Sequence, residues 1–228
     1  MRWALACLTL LLGGTADARP TLDEAVAQFR AVAFGDDFNA IAGVLLKRRP
    51  GEVRFGFLAG EIAALKPHAT EIARAFDEIQ ELTGRRFVER KSDNPPFVIT
   101  ARNRKDFRST IPAGFPDADE IARTSACFAL YLQQSAGTID RVVIVIGADI
   151  SEARRRHCIQ EEIVQSFGLV ADACRYRPSL FCEADRHLTG MTPTDRLLLK
   201  TLYDPRLKAG MTETEAMPIV RTVLRELW

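Results

Sequence analysis

Apolar positions recur along this chain at two periods, and the switches between them divide it into elements. Ala25, Val26, Phe29 and Val32 follow at helical spacing after Thr21-Leu22-Asp23-Glu24, whose Thr and Glu form a capping box. A loop or short turn is expected over 36–42. Alternation in Val53-Arg54-Phe55-Gly56-Phe57 predicts a strand. From Glu61 to Leu82, the spacing of Ile62, Leu65, Ile72, Phe76, Ile79 and Leu82 predicts a long amphipathic helix. Pro67 should interrupt it, because proline lacks the N–H that the helix ladder needs, and Gly84 should close it. Phe87–Arg90 and Phe97–Ala101 read as strands on either side of Asn94-Pro95-Pro96.

Beyond a loop over Pro112–Asp119 and a short helix after it, Cys127–Gln133 and Ile139–Gly147 are strand-like. Ser135-Ala136-Gly137 between them is a hairpin signal. Ser151 can cap a helix that runs to about Phe167, with Gly168 at the stop position. Thr192-Pro193-Thr194-Asp195 and Thr212-Glu213-Thr214-Glu215 then open two further helices. With no internal repeat and no evident linker, these elements predict one α+β domain over 19–228. It should have a mixed twisted sheet, long helices and a helical C-terminal part.

Composition narrows the function classes only a little. A formal net charge of +1 gives no whole-molecule field for nucleic acid or an acidic membrane surface. Arg102-Asn103-Arg104-Lys105 and Arg154-Arg155-Arg156 are local basic clusters without the interleaved aromatics of single-strand binding, and read as solvated faces. The first residues read as a secretory leader over 1–18. Arg2 is followed by an apolar run from Ala4 to Leu12, too short to span a bilayer, and by Ala16-Asp17-Ala18 as a small-residue cleavage pattern. No later apolar run approaches a membrane span, so a periplasmic or secreted protein is expected. Removing Cys7 with the leader leaves Cys127, Cys158, Cys174 and Cys182, and an even number in an exported chain suggests two disulfides. Cys174 and Cys182 flank a short proline-containing loop and are the natural local pair, which leaves Cys127 for Cys158.

Candidate chemistry gathers on the helix after Ser151. Glu161-Glu162-Ile163-Val164-Gln165, followed by Gly168 and Asp172, has the frame E-E-x-x-Q-x-x-G-x-x-x-D. It is similar to the H-E-x-x-H helix of zincin metallopeptidases with both histidines replaced. In that motif two imidazoles one turn apart hold zinc, and the glutamate between them activates water. Glu162 stands at the general base's position, Glu161 and Gln165 at the two ligand positions. Carboxylate and amide oxygens suit a hard cation better than zinc. The expectation is therefore no cofactor or a non-zinc divalent metal held by Glu161, Gln165 and Asp172. Ile159, Ile163, Val164 and Phe167 lie on one side of this helix and the polar residues on the other, so periodicity alone leaves open whether the polar side meets water or a cleft. His157 falls one turn before Glu161. His187 can fold over such a cleft, and His68 is expected to be exposed. Ser179 lacks a His-Asp pattern for a nucleophile, and Tyr203 reads as a helix-ending residue.

Cys158, Glu161, Glu162, Gln165, Gly168-Leu169 and Asp172, continued by Pro178-Ser179-Leu180-Phe181, Leu188-Thr189, Thr194-Asp195, Leu202-Tyr203-Asp204-Pro205 and Gly210-Met211, carry a wider likeness. Together they resemble a family of exported bacterial proteins of unknown function that is grouped by fold with zincin-like peptidases. The specific part spans about Cys158 to Met211; the N-terminal half matches by element order. The resemblance implies a zincin-like fold and export. It suggests a non-catalytic, pseudopeptidase domain that binds a peptide or cell-envelope protein, or alternatively an atypical hydrolase with Glu162 as base.

Overall fold

The computed structural model describes residues 19–35, 43–57, 62–90, 95–135 and 137–228. The expected leader over 1–18, the expected loop over 36–42, and Asn94 and Ala136 of the two expected turns lie outside the described residues. Helix α1 (Leu22–Phe34) opens with the expected capping box, in which Glu24 N–H donates to Thr21 Oγ1 at 3.2 Å and Thr21 N–H to Glu24 Oε2 at 2.7 Å. The chain continues through β1 (Lys47–Arg48), β2 (Val53–Phe57), α2 (Ile62–Leu65), a 3₁₀ turn at Lys66–His68 and α3 (Ala69–Thr83). The break in the long helix thus falls at Pro67, and Gly84 closes it at φ 69°, in the left-handed region. Strands β3 (Phe87–Glu89) and β4 (Phe97–Arg102) follow, then α4 (Phe107–Thr110) and α5 (Ala118–Thr124). Next come β5 (Cys127–Ser135), β6 (Thr138–Gly147) and α6 (Glu152–Gln165), and last α7 (Pro193–Leu202) and α8 (Glu213–Leu227).

The sheet runs β1-β6-β4-β2-β3, with β5 on the other side of β6. Every pairing is parallel except β5 with β6. The sheet is therefore mixed, as expected, but mostly parallel, and the architecture is mixed α/β. The cause is visible at β2 and β3, which pair directly but are joined through α2 and α3; a helical crossover returns the chain in the same direction. Likewise β3 and β4, consecutive in sequence, do not pair with each other: each lies parallel to β2 on a different side. The two-residue β1 and the short α4 are too brief to leave a periodic signal.

Alternation along the central strands divides the interior in two. Val142, Ile144 and Ile146 of β6, with Ala129 and Tyr131 of β5, face a large core shared with α1, α3, α6, α7 and α8. Val145 of β6, with Phe128 and Leu130 of β5, faces a smaller core against Phe107 of α4, Ile111 just after it, and Ala118 and Ile121 of α5. Both faces of the sheet are thus covered, which is why β4 is buried along almost its whole length. Gly168 fixes the exit from α6. Its φ is 117°, and a Cβ there would stand 2.0 Å from the Leu46 carbonyl oxygen.

Both expected disulfides form. Cys127–Cys158 ties the start of β5 to α6, with Cα atoms 5.9 Å apart, and Cys174–Cys182 closes the loop after α6 at 4.8 Å. That loop is also held from within. Gln28 of α1 donates to Ala173 O and accepts from Arg175 N–H, both at 2.7 Å. Asp195 of α7 is fully buried and accepts four hydrogen bonds. Tyr176 Oη (2.7 Å) and Ser179 Oγ (2.8 Å) donate to Oδ1; the backbone N–H groups of Leu180 and Thr192 (both 2.9 Å) donate to Oδ2. Ser179 is thereby a structural hydroxyl. His68, expected at the surface, is 2% exposed, because the 3₁₀ turn that contains Pro67 rotates it inward to within 3.5 Å of Arg155 Nη1. No helix among the described residues is long and apolar enough to cross a membrane.

Candidate functional site

Helix α6 is capped where its sequence says, with Arg154 N–H donating to Ser151 Oγ at 3.3 Å. Ile159, Ile163, Val164 and Phe167 are fully buried, as their spacing predicts. The polar side is buried too. Glu161 is 3% exposed, and Glu162 and Gln165 are each 6% exposed, so none of them faces open water. They line a cleft of about 950 Å³. Cys127, Ala129 and Tyr131 of β5 line it as well, as do Val170 and Asp172 beyond the Gly168 turn. Arg104, Asp149, Arg154, Glu183, Arg186 and His187 add charged groups to its lining.

Each acidic residue has its own setting. His157, itself fully buried, sits one helical turn before Glu161, and its Nε2 lies 3.2 Å from Glu161 Oε2. The approach is poorly aligned for a hydrogen bond, and the contact becomes an ion pair when the ring is protonated. On the other side of the ring, Nδ1 lies 2.8 Å from the Leu188 carbonyl oxygen, an acceptor that makes Nδ1 the donor. Burial would push the His157 imidazole down, but the Glu161 carboxylate and the Leu188 carbonyl outweigh it and raise its affinity for a proton. Glu161 Oε1, by contrast, is buried without a hydrogen-bond partner. A carboxylate oxygen so placed lacks the donor that water would have supplied.

The other expected ligands fall into separate groups. Gln165 Nε2 donates to Asp172 Oδ1 at 2.7 Å, which ties the loop after Gly168 back to the helix and turns the Gln165 carbonyl oxygen away from Asp172. Asp172 itself is exposed. Among the described residues, one grouping of possible ligand atoms of His, Cys, Asp and Glu lies within 4.8 Å of one another: Cys127 Sγ with carboxylate oxygens of Glu161 and Glu162. Asp172 is not in it, and Cys127 is held in its disulfide, where its sulfur is not a thiolate. The structure thus brings Glu161 and Glu162 together, pairs Gln165 with Asp172, and places His187 in the cleft lining as an exposed side chain.

Sequence reasoning does not single out Tyr131, Asp149 or Glu183, and it reads Arg104 only as part of a solvated basic face, although Arg104 lines the cleft. Tyr131 was legible in principle, since it alternates with Leu130 along a strand next to the motif helix. The charged three were not, because they converge from elements far apart in sequence: Arg104 approaches Asp149 to 3.6 Å and Arg154 approaches Glu183 to 3.1 Å. Of the second basic cluster, Arg155 donates to the carbonyls of Ala148 and Ile150 at 2.7 and 3.1 Å, which makes it a clamp on the turn before α6. Tyr203 is remote from this cleft: its hydroxyl donates to Phe167 O at 3.0 Å and accepts from Arg48 N–H at 3.1 Å.

Compared with curated proteins, the chain finds no match. A family model described as a protein of unknown function, DUF2927, matches residues 23–222. That span takes in α1 and all of the sheet, together with α6, the cleft and both disulfides. The chain therefore belongs to this family of proteins of unknown function.

Proposed function

We propose that this is an exported, zincin-like pseudopeptidase domain that binds an extended peptide or a segment of a cell-envelope protein in the cleft over α6. The observation that carries the reading is the burial of Glu161 and Glu162. A helix whose polar side was merely solvated would show these carboxylates to water, yet they are 3% and 6% exposed and line a cleft. The order of elements ahead of α6 supports the zincin likeness: a strand, a long broken helix, two strands, a hairpin, then the helix that ends at a glycine turn. The leader-like residues 1–18 and the paired cysteines support export. The absence of histidine at both positions that would ligate zinc supports binding over zinc-dependent hydrolysis.

A second reading is favoured by Glu161 Oε1, the buried oxygen without a partner. Glu161 would ligate a hard divalent cation, with the Gln165 carbonyl oxygen adjacent on the helix, and the neighbouring Glu162 carboxylate would act as the base of an atypical hydrolase. One experiment separates the two. Protein purified without chelator is analysed for bound metal and incubated with a library of extended peptides. Binding without turnover, weakened at least tenfold in Glu162→Gln, is the expected result. Cleavage products that vanish in Glu162→Gln would replace the binding reading with the hydrolase, and stoichiometric metal lost in Glu161→Ala would identify its cofactor.

A further inference from the structure

A second cluster of ionisable groups, none of which lines the cleft, surrounds Tyr203. Lys47 of β1 places Nζ 5.1 Å from the centroid of the Tyr203 ring, and the Arg85 guanidinium carbon lies 5.5 Å from the same centroid. The ring is an immobile platform, because its hydroxyl is committed to Phe167 O and Arg48 N–H. Lys208 adds a third cation close enough to act on Lys47. Burial, followed by repulsion from Arg85 and Lys208, pushes the Lys47 ammonium down to about 8. Behind them, Arg48 is 4% exposed, and burial lowers it to about 10.

The negative charge within reach of this cluster is already engaged: Asp140, which acts on Arg48, is bound by Arg49 at 3.0 Å. The carboxylate that opposes repulsion at Lys47 is Asp204, and Asp204 is already held in two-point contact by Arg206, at 2.8 and 2.9 Å. Lys47 Nζ donates to the Leu207 carbonyl oxygen at 2.9 Å. Arg48 donates to Pro96 O at 3.3 Å and leaves Nη1 buried without a partner; Arg85 Nε is likewise buried without one. Cation–π contact with one tyrosine offsets part of the desolvation, but it cancels no charge. Lys47 and Arg85, half-buried against one ring, with exposed Lys208 nearby, offer the mixed Arg and Lys donors that suit the several acceptor oxygens of an oxyanion.

We propose that Lys47, Arg85 and Lys208 form a binding site over Tyr203 for a phosphate-class oxyanion, with Arg48 supplying positive charge from behind. Lys47 and Arg85 are half-buried and Lys208 is exposed, so the site is open to a ligand from solvent. The ligand is either free phosphate or the phosphodiester of a lipid headgroup, which share the recognised chemistry. A bound anion favours the ammonium form of Lys47 and so protects it from acylation. At pH 8, raising its pKa by about one unit would cut the reactive amine from about half to about a tenth, a roughly fivefold slower labelling.

The test is acetylation of the intact protein at pH 8, read at Lys47 by peptide mass spectrometry, at matched ionic strength. Inorganic phosphate is compared with chloride, and phosphatidylglycerol vesicles with phosphatidylcholine vesicles. Slowing by inorganic phosphate assigns a free anion; slowing by phosphatidylglycerol alone assigns a lipid headgroup. Either effect should shrink at least threefold in Arg85→Gln and in Lys208→Gln, the second at an exposed position that leaves folding intact. Equal labelling under all four conditions, or protection that survives Lys208→Gln and Arg85→Gln undiminished, would overturn the proposal.

Discussion

Two buried carboxylates one helix apart show how differently this fold treats the same functional group. Asp195, on α7, is fully buried and receives four hydrogen bonds, two on each oxygen. Glu161, on α6, is 3% exposed and has an ion pair on one oxygen and nothing on the other. A buried carboxylate whose lone pairs are all answered fixes local geometry, and removing it breaks several bonds at once. One left half answered contributes less to stability than it costs in desolvation, and it is free to take a further donor or cation. The first is part of how the cysteine loop is built. The second is where ligand chemistry belongs.

The largest expected effect lies on the satisfied side. Asp195→Ala leaves the Tyr176 and Ser179 hydroxyls and two backbone N–H groups without their acceptor, and removes half of the α7 capping box. A loss of about 3–5 kcal/mol in unfolding free energy is expected, measured by urea denaturation. The Tyr176 phenol, which burial and the neighbouring Asp195 hold well above its ordinary value, should then titrate closer to that value. A loss under about 1 kcal/mol would show that the network is not the keystone of this loop.

Next come the two disulfides, one beside each carboxylate. Cys127–Cys158 closes 31 residues and Cys174–Cys182 closes 8. Chain entropy makes the first worth roughly 3.7 kcal/mol and the second roughly 2.5. Paired Cys→Ala substitutions should therefore separate by about 1 kcal/mol, with the larger loss at Cys127–Cys158. That pair should also loosen the cleft, because it joins β5 directly to the helix that carries Glu161. Equal losses would mean that the Gln28 and Asp195 contacts are weakened together with the shorter bridge.

How much of this contrast could be read from the chain depends on how local each signal is. The capping boxes at Thr21, Thr192 and Thr212, the break at Pro67 and the stop glycines follow from residues three or four apart, and each appears where its pattern lies. The pairing of Cys127 with Cys158 was reached by elimination across 31 positions, and it too is present. The burial of Glu161 and Glu162 was not legible, because an amphipathic helix presents the same period whether its polar side meets water or a wall. That wall comes from β5, delivered by the hairpin, and from the loop after Gly168, neither of which leaves a mark on the period of α6. His68 was misplaced for a related reason: the 3₁₀ turn that contains Pro67 resets the helical phase, which a periodicity running through the break does not register. The cluster around Tyr203 escaped notice because Lys47 and Arg48 belong to a strand of two residues, and Arg85 joins them from nearly forty positions away.

On the unsatisfied side the expected effects are small, and their direction carries the meaning. Glu161→Gln keeps the shape of the side chain but gives up the ion pair with His157; it should change stability by no more than about 1 kcal/mol, because the desolvation cost of the charge goes with it.

The pH dependence is the smallest and sharpest test. His157 binds its proton more tightly in the folded protein than in the unfolded chain, despite a burial that opposes this, because Glu161 and the Leu188 carbonyl favour the charged ring. Its contribution is therefore fully present below the unfolded histidine value, near 6.5, and is lost as pH rises through the higher folded value. Wild type should lose stability across that window, measured as urea midpoints in half-unit steps of pH from 5.5 to 8.5. In Glu161→Gln, burial acts on His157 without its anion, so the folded value should fall and the slope over the same window should flatten or reverse. The Asp195→Ala variant leaves His157 and Glu161 untouched and should keep the wild-type slope on a lower baseline. If the slope survives Glu161→Gln, the Leu188 carbonyl alone holds the imidazolium, and Glu161 has no structural partner on either oxygen. That outcome would widen the gap between the two carboxylates, leaving ligand binding as the role that accounts for burying Glu161 at all.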